Sequence, residues 1–237
     1  MNDVEAMAVR QFRVFPPDVV PFNALMTSPG TEFFRTHFQF REAAAPENEL
    51  VFLGGMFTLK DRNHPIVINY IQINAQRIIQ EVVGDSSDAD LVYLAVLASL
   101  MSYDPQERIA RVESLLFTQE TQCVARLRFE WHDLISDRLG KFLGGDAISG
   151  IRSGGAPSRI TAMNLRFTLQ YEASDQRLRE YGVIHADKSL ILEPRQNTPL
   201  SERLYFTQSP LDSRAHLELL EELEQSVSGS SRKRLKS

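Results

Sequence analysis

The chain has 237 residues, 43% of them hydrophobic, and a formal charge of -5. That length suffices for one large domain or two small ones, and the negative charge gives no support to non-specific binding of nucleic acid. The single cysteine, Cys123, excludes a disulfide within the chain and favours a reducing compartment.

Met1 to Arg13 includes Asp3 and Glu5 and has no apolar core, so it does not read as a secretory signal. No apolar run approaches the ~18 residues that span a bilayer. The expected location is the cytoplasm, or the nucleus in a eukaryote. Residues 1–30 hold Pro16, Pro17, Pro21 and Pro29 and read as an irregular arm with a short strand at Gln11 to Phe15.

Phe34 to Arg41 then alternates with period two, which predicts a strand. Phe34, Thr36, Phe38 and Phe40 fall on one side; Arg35, His37, Gln39 and Arg41 fall on the other. Leu50 to Lys60 reads as a second strand, with Gly54 and Gly55 marking a bulge or a close backbone approach. Ile66 to Val83 fits either a β-hairpin or a helical stripe; its β-branched content favours the hairpin, turning near Asn74 to Gln76. A helix follows to about Met101, capped by Ser86 or Ser87, with Leu91, Leu94, Ala95, Ala98 and Met101 as its core stripe.

A short helical turn is expected within Pro105 to Val112, and strand from Ser114 to Trp131. Along Cys123 to His132 the apolar side is Cys123, Ala125, Leu127, Phe129 and Trp131. The polar side is Arg126, Arg128, Glu130 and His132. Asp133 to Leu143 reads as a short helix. Residues 144–158 hold five glycines and read as a flexible connection. Leu165 to Glu172 is the third alternating stretch, with Arg166 on its polar side. Two more strands are expected at Gly182 to Glu193 and Arg203 to Gln208. Asp212 caps a final helix to about Gln225, with Leu217, Leu220 and Leu223 inward, before a disordered basic tail over 226–237.

Arg77 to Leu97 and Arg203 to Leu223 align without a gap, matching Ser87 to Ser213 and Ala89 to Ala215. The spacing admits two repeated α+β halves, 31–143 and 159–225. The expected fold is α+β: a largely antiparallel sheet of about six to nine strands packed against two principal helices.

The chemistry is sparse. His37, His64, His132, His185 and His216 show no metal-ligand spacing, and Cys123 reads as a small core residue. No catalytic set, metal or cofactor is implied. Arginine outweighs lysine, with five lysines among 26 basic residues. If the alternating strands share one sheet, Arg35, Arg41, Arg126, Arg128, Arg166 and His132 share the face opposite the helices, and an arginine-rich face suits carboxylate or phosphate. The leading expectation is a non-enzymatic binding protein, for a protein partner or a second copy of itself, with no membrane. The alternatives are a nucleic-acid-binding protein using the same face and the basic tail, or an enzyme on an anionic substrate around His132, Arg126 and Arg128, with residues 144–158 as a lid.

Overall fold

The structure, a computed structural model, describes residues 4–46, 48–59, 62–134, 164–169 and 188–234. Its strands are β1 (Val4–Val14), β2 (Glu42–Ala44), β3 (Leu50–Phe57), β4 (Ile66–Ile73), β5 (Arg77–Val83), β6 (Leu116–Arg126), β7 (Leu165–Leu169), β8 (Lys188–Pro194) and β9 (Leu204–Ser209). They form one nine-stranded sheet in the order β2-β3-β4-β5-β1-β6-β9-β8-β7, and every neighbouring pair is antiparallel. The helices among the described residues are α1 (Phe22–Leu25), α2 (Ser28–His37), α3 (Ser86–Met101), α4 (Arg108–Arg111) and α5 (Ser213–Arg234). The α+β expectation holds.

The register fixes which side the helices cover. Directly paired residues of antiparallel strands share a face. Ile71, Gln80, Gln11 and Gln119 pair in succession from β4 to β6. Gln80 donates to the Ala89 carbonyl of α3, so this row faces the helices. Cys123 lies on that same face of β6 and meets His216 of α5. Phe52 of β3, opposite Ile71, stacks with Phe34 of α2. Thus α2, α3 and α5 cover one face.

The N-terminal segment departs from the irregular arm expected there. Residues 4–14 are not an arm but an 11-residue strand at the centre of the sheet, paired with β5 and β6. Its inward residues include Gln11 and Arg13, so the apolar alternation that announces a strand is broken. Those polar groups are answered from other elements: Gln11 donates to Asp90 at 2.7 Å and to Gln119 at 2.8 Å. The Arg13 guanidinium lies between the rings of Tyr93 and Phe117, 3.9 and 4.0 Å from their centroids.

Phe34 to Arg41 also departs from expectation. It is not a strand: the chain is helical through His37 and reverses at Gln39, whose φ is 51°. Thr27 caps α2 by accepting from Gly30 N at 3.3 Å, and Pro29 occupies the first turn, where its missing N–H costs nothing. Phe34 and Phe38 satisfy a helical spacing as readily as an alternating one, and both are fully buried. Gly30 lets α2 press on α1, because a Cβ there would lie 2.5 Å from the Ala24 carbonyl.

The β4–β5 hairpin turns where expected. Asn74 Oδ1 accepts from the backbone of Gln76 and Arg77 at 3.0 and 2.8 Å, an Asx turn that closes the loop. Gly55 marks a close approach, since a Cβ there would strike the Phe40 ring. The cap of α3 lies one residue before the nearer of the two predicted serines. Asp85 accepts from Asp88 N at 3.0 Å while Asp88 accepts from Asp85 N at 3.3 Å, a reciprocal capping box. The buried face of α3 is Ala89, Val92, Val96, Ser99 and Leu100, while Leu94 is 57% exposed. The predicted stripe is therefore rotated. This helix is apolar on nearly every side, so periodicity does not set its phase.

In β6 the predicted inward set is right throughout. Cys123, Ala125, Leu127, Phe129 and Trp131 are all buried, although the ladder ends at Arg126 and a 3₁₀ turn spans Trp131–Leu134. Strands β7, β8 and β9 lie within their predicted stretches or overrun them by one residue. Asp212 caps α5 through Ala215 N at 2.8 Å. The helix continues to Arg234, past the tail boundary expected at Ser226. The helix predicted over Asp133 to Leu143 and the glycine-rich 144–158 segment lie mostly or wholly outside the described residues.

The strand order is symmetric about the β1–β6 boundary. β1 and β6, β5 and β9, β4 and β8, and β3 and β7 occupy equivalent places, and α3 and α5 follow equivalent strands. The helix starts correspond as Asp85 with Asp212 and Ser86 with Ser213, one residue off the gapless sequence alignment. Two apolar cores result, one under α1 to α3 and one under α5. Between them runs a buried polar seam that includes Gln11, Gln80 and Thr121.

Candidate functional site

The six sequence-predicted residues do not gather on one face. Arg35 lies on α2 and pairs with Glu32 at 2.7 Å. Arg41 precedes β2 and runs alongside Gly54. Arg126 is at the end of β6 on the side of the sheet that no described helix covers, the helix-free side, where it donates to the Glu202 carbonyl at 2.6 Å and meets Glu5 at 3.7 Å. Arg128 sits 4.0 Å from Glu224 of α5. His132 is exposed on the 3₁₀ turn between Glu130 at 3.3 Å and Asp133 at 3.5 Å. Arg166 is on β7 and donates to Ser189 at 3.1 Å. Arg126, Arg128 and His132 thus share one end of the sheet, Arg166 lies toward its β7 edge and Arg41 toward its β2 edge. Five of the six side chains meet a carboxylate or a hydroxyl. Side alternation in a sequence says where a charge points, not what sits beside it.

The helix-free face has a different composition. Tyr70, Glu81, Arg10 and Glu120 pair in succession across β4, β5, β1 and β6, forming a strip of alternating charge. The Arg10 guanidinium lies over the Tyr70 ring, 5.9 Å from its centroid. Glu81 accepts from Asn69 at 2.8 Å and Glu120 from Gln122 at 3.3 Å. Partial burial pushes the Tyr70 phenol up, while Arg10 pulls it down and the two glutamates add to the rise. Partial burial holds the Lys188 ammonium down; Glu120 raises it and Arg10 lowers it further, so Lys188 belongs to the same field.

Beside this strip runs an apolar row. Met56, Val67 and Val83 pair in succession across β3, β4 and β5, and the half-buried Ala8 of β1 completes the row. Val67 is 42% exposed and Val83 43%. Leu53, next to Tyr70 on β3, is also exposed. Adjacent strands therefore present large aliphatic side chains to solvent at consecutive positions. Single exposed aliphatics are ordinary, but these stand side by side on neighbouring strands.

A second polar assembly escaped the sequence reading. His216, in the first turn of α5, is fully buried against β6 and β9. Its Nδ1 is 2.6 Å from Ser209 Oγ, and its Nε2 is 2.8 Å from Thr207 Oγ1 and 3.4 Å from Cys123 Sγ. Either neutral tautomer satisfies the ring, because each hydroxyl can donate to or accept from the nitrogen it faces. Burial lowers the imidazole to about 4. Burial also pushes the Cys123 thiol up, against a smaller opposing effect from the Thr207 hydrogen bond. A thiolate–imidazolium pair requires the reverse shifts. The cluster is therefore a neutral internal brace. Its residues lie 93 positions apart along the chain at the extremes, so no local spacing signals it.

Among the described residues, no group of three or more His, Cys, Asp or Glu side chains is placed to hold a metal ion. Among the same residues, no helix is long and apolar enough to cross a membrane. The sequence matches no protein-family model, and no curated protein matches it.

Proposed function

We propose that this chain is a non-enzymatic binding protein that docks a protein partner on the helix-free face of its sheet. The observation that supports this is the row Met56, Val67, Val83 and Ala8, set in register on neighbouring strands beside a charged strip, with its three large members open to solvent. Such a face has what a moderate interface needs, an apolar centre with a polar border. It keeps the docking surface on the side expected from the sequence but replaces arginines with aliphatics as its centre. Arg35, Arg126 and Arg128 are ion-paired with carboxylates, which favours a protein partner over a polyanion.

The test places a photo-crosslinking amino acid at Val67 in the full chain, expressed in its native cell. The control places it at Leu94, which is at least as open but lies on the helix side. Adducts from position 67 and none from position 94 are the expected result. Adducts from position 94 alone, or from neither, overturn the reading.

A further inference from the structure

We infer that the partner on this face is a second copy of the chain, stacked sheet to sheet about a two-fold axis that runs along the strands between β5 and β1. The inference rests on the reading of the helix-free face as a docking surface, and what carries it further is the order of charges.

Tyr70, Glu81, Arg10 and Glu120 follow one another across the strands. Rotation about an axis between β5 and β1 exchanges the places of Glu81 and Arg10. Arg10 of one copy then meets Glu81 of the other, and the same contact forms again in reverse. Tyr70 of each copy lies against Glu120 of its mate, where the phenol donates to the carboxylate. In the adjacent row Val83 meets Ala8, so the small side chain receives the larger one, while Val67 and Met56 lie opposite Gln122 and Gln208 of the mate. The charged strip is in this way its own complement, as an isologous interface requires. A nucleic acid or an acidic peptide would meet two carboxylates for each arginine of the strip. Aligned stacking of two sheets is a standard packing for faces of this kind.

The experiment is sedimentation equilibrium on the full chain over a concentration series, with two variants. Arg10→Glu sets two carboxylates against each other at both strip contacts of a homodimer. Glu81→Arg sets two guanidinium groups against each other at the same two places. Each variant alone should dimerise at least about tenfold more weakly than the parent. Mixed in equal amounts they should recover dimer, because both contacts in the mixed pair join opposite charges. Circular dichroism on each variant confirms folding, and the mixture itself reports on it. A parent chain that stays monomeric, variants that dimerise like the parent, or a mixture that fails to recover dimer each overturn the inference. If the chain is monomeric while a crosslinker at Val67 still captures a different protein, self-association fails and the docking reading stands. If no adduct forms from Val67, both fail.

Discussion

Ser86 and Ser213 exchange hydrogen bonds across the junction of the two halves. Ser213 N donates to Ser86 Oγ at 2.8 Å, and Ser86 N donates to Ser213 Oγ at 3.1 Å. Each serine is the first residue of its helix, so each hydroxyl serves an orphan N–H of the other helix. Gln119 of β6 adds a third bond, donating to Ser86 Oγ at 2.8 Å. The contact ties α3 to α5 directly and not only through the sheet.

Ser86→Ala should therefore cost more than Ser213→Ala, because Ser86 accepts twice and Ser213 once. The expected losses are about 1–2 kcal/mol and about 1 kcal/mol in urea unfolding. The double variant should lose about the sum, since each substitution removes a different bond and the truncated serine's backbone N–H still donates to the other hydroxyl. A loss well short of the sum would show that the two bonds do not act independently.

His216 gives the protein an acid-sensitive core. Its folded-state pKa of about 4 lies below the ordinary value of 6.5. Above pH 6.5 the group is neutral folded and unfolded, and its full contribution is present. As pH falls toward 4 the unfolded chain takes up a proton that the folded chain resists, so stability drops. The shift corresponds to about 3 kcal/mol lost by pH 4. Urea midpoints from pH 8 to 4, compared with His216→Gln, check this. The variant should be less stable at pH 8 and show a shallower acid decline than the parent.

Cys123 should be unreactive in the native state. It is a buried free thiol whose titration is pushed up, and only the thiolate attacks an aromatic disulfide reagent. Labelling should appear only in denaturant, at a rate that tracks unfolding. Rapid labelling of the native chain would contradict the closed geometry of the His216 brace.

The phase of α3 can be read from two truncations. Val92 is fully buried and Leu94 is 57% exposed. Val92→Ala should cost about 2 kcal/mol, whereas Leu94→Ala should stay within about 0.5–1 kcal/mol. The reverse order would restore the stripe that the leucines alone suggest.

Phe34 anchors α2 by stacking on Phe52, centroids 5.6 Å apart, and packing against Phe38 at 5.4 Å. Phe34→Ala should cost about 3–5 kcal/mol. Thr36, which the alternating reading placed on the same apolar side, is exposed on the helix. Thr36→Ala should be nearly neutral, which separates the helical from the strand arrangement by unfolding measurements alone.

Local sequence was enough for the class of fold, the inward side of β6 and the cap at Asp212, and it favoured the β4–β5 hairpin over a helix. These are local facts. A β-branched run, an alternation of apolar side chains or an aspartate before a helix acts on neighbours a few residues away. The role of β1 came from long-range contacts, because its inward Gln11 and Arg13 find partners at Gln119, Asp90, Tyr93 and Phe117, far along the chain. The same holds for His216, whose meaning depends on three strand residues brought beneath it. The candidate face was half legible. That one side of the sheet would lie away from the helices followed from alternation. That its rows would read valine beside valine, and glutamate, arginine, glutamate in turn, followed from strand order and register. Those are set by pairings between distant segments, and no single stretch of sequence contains them.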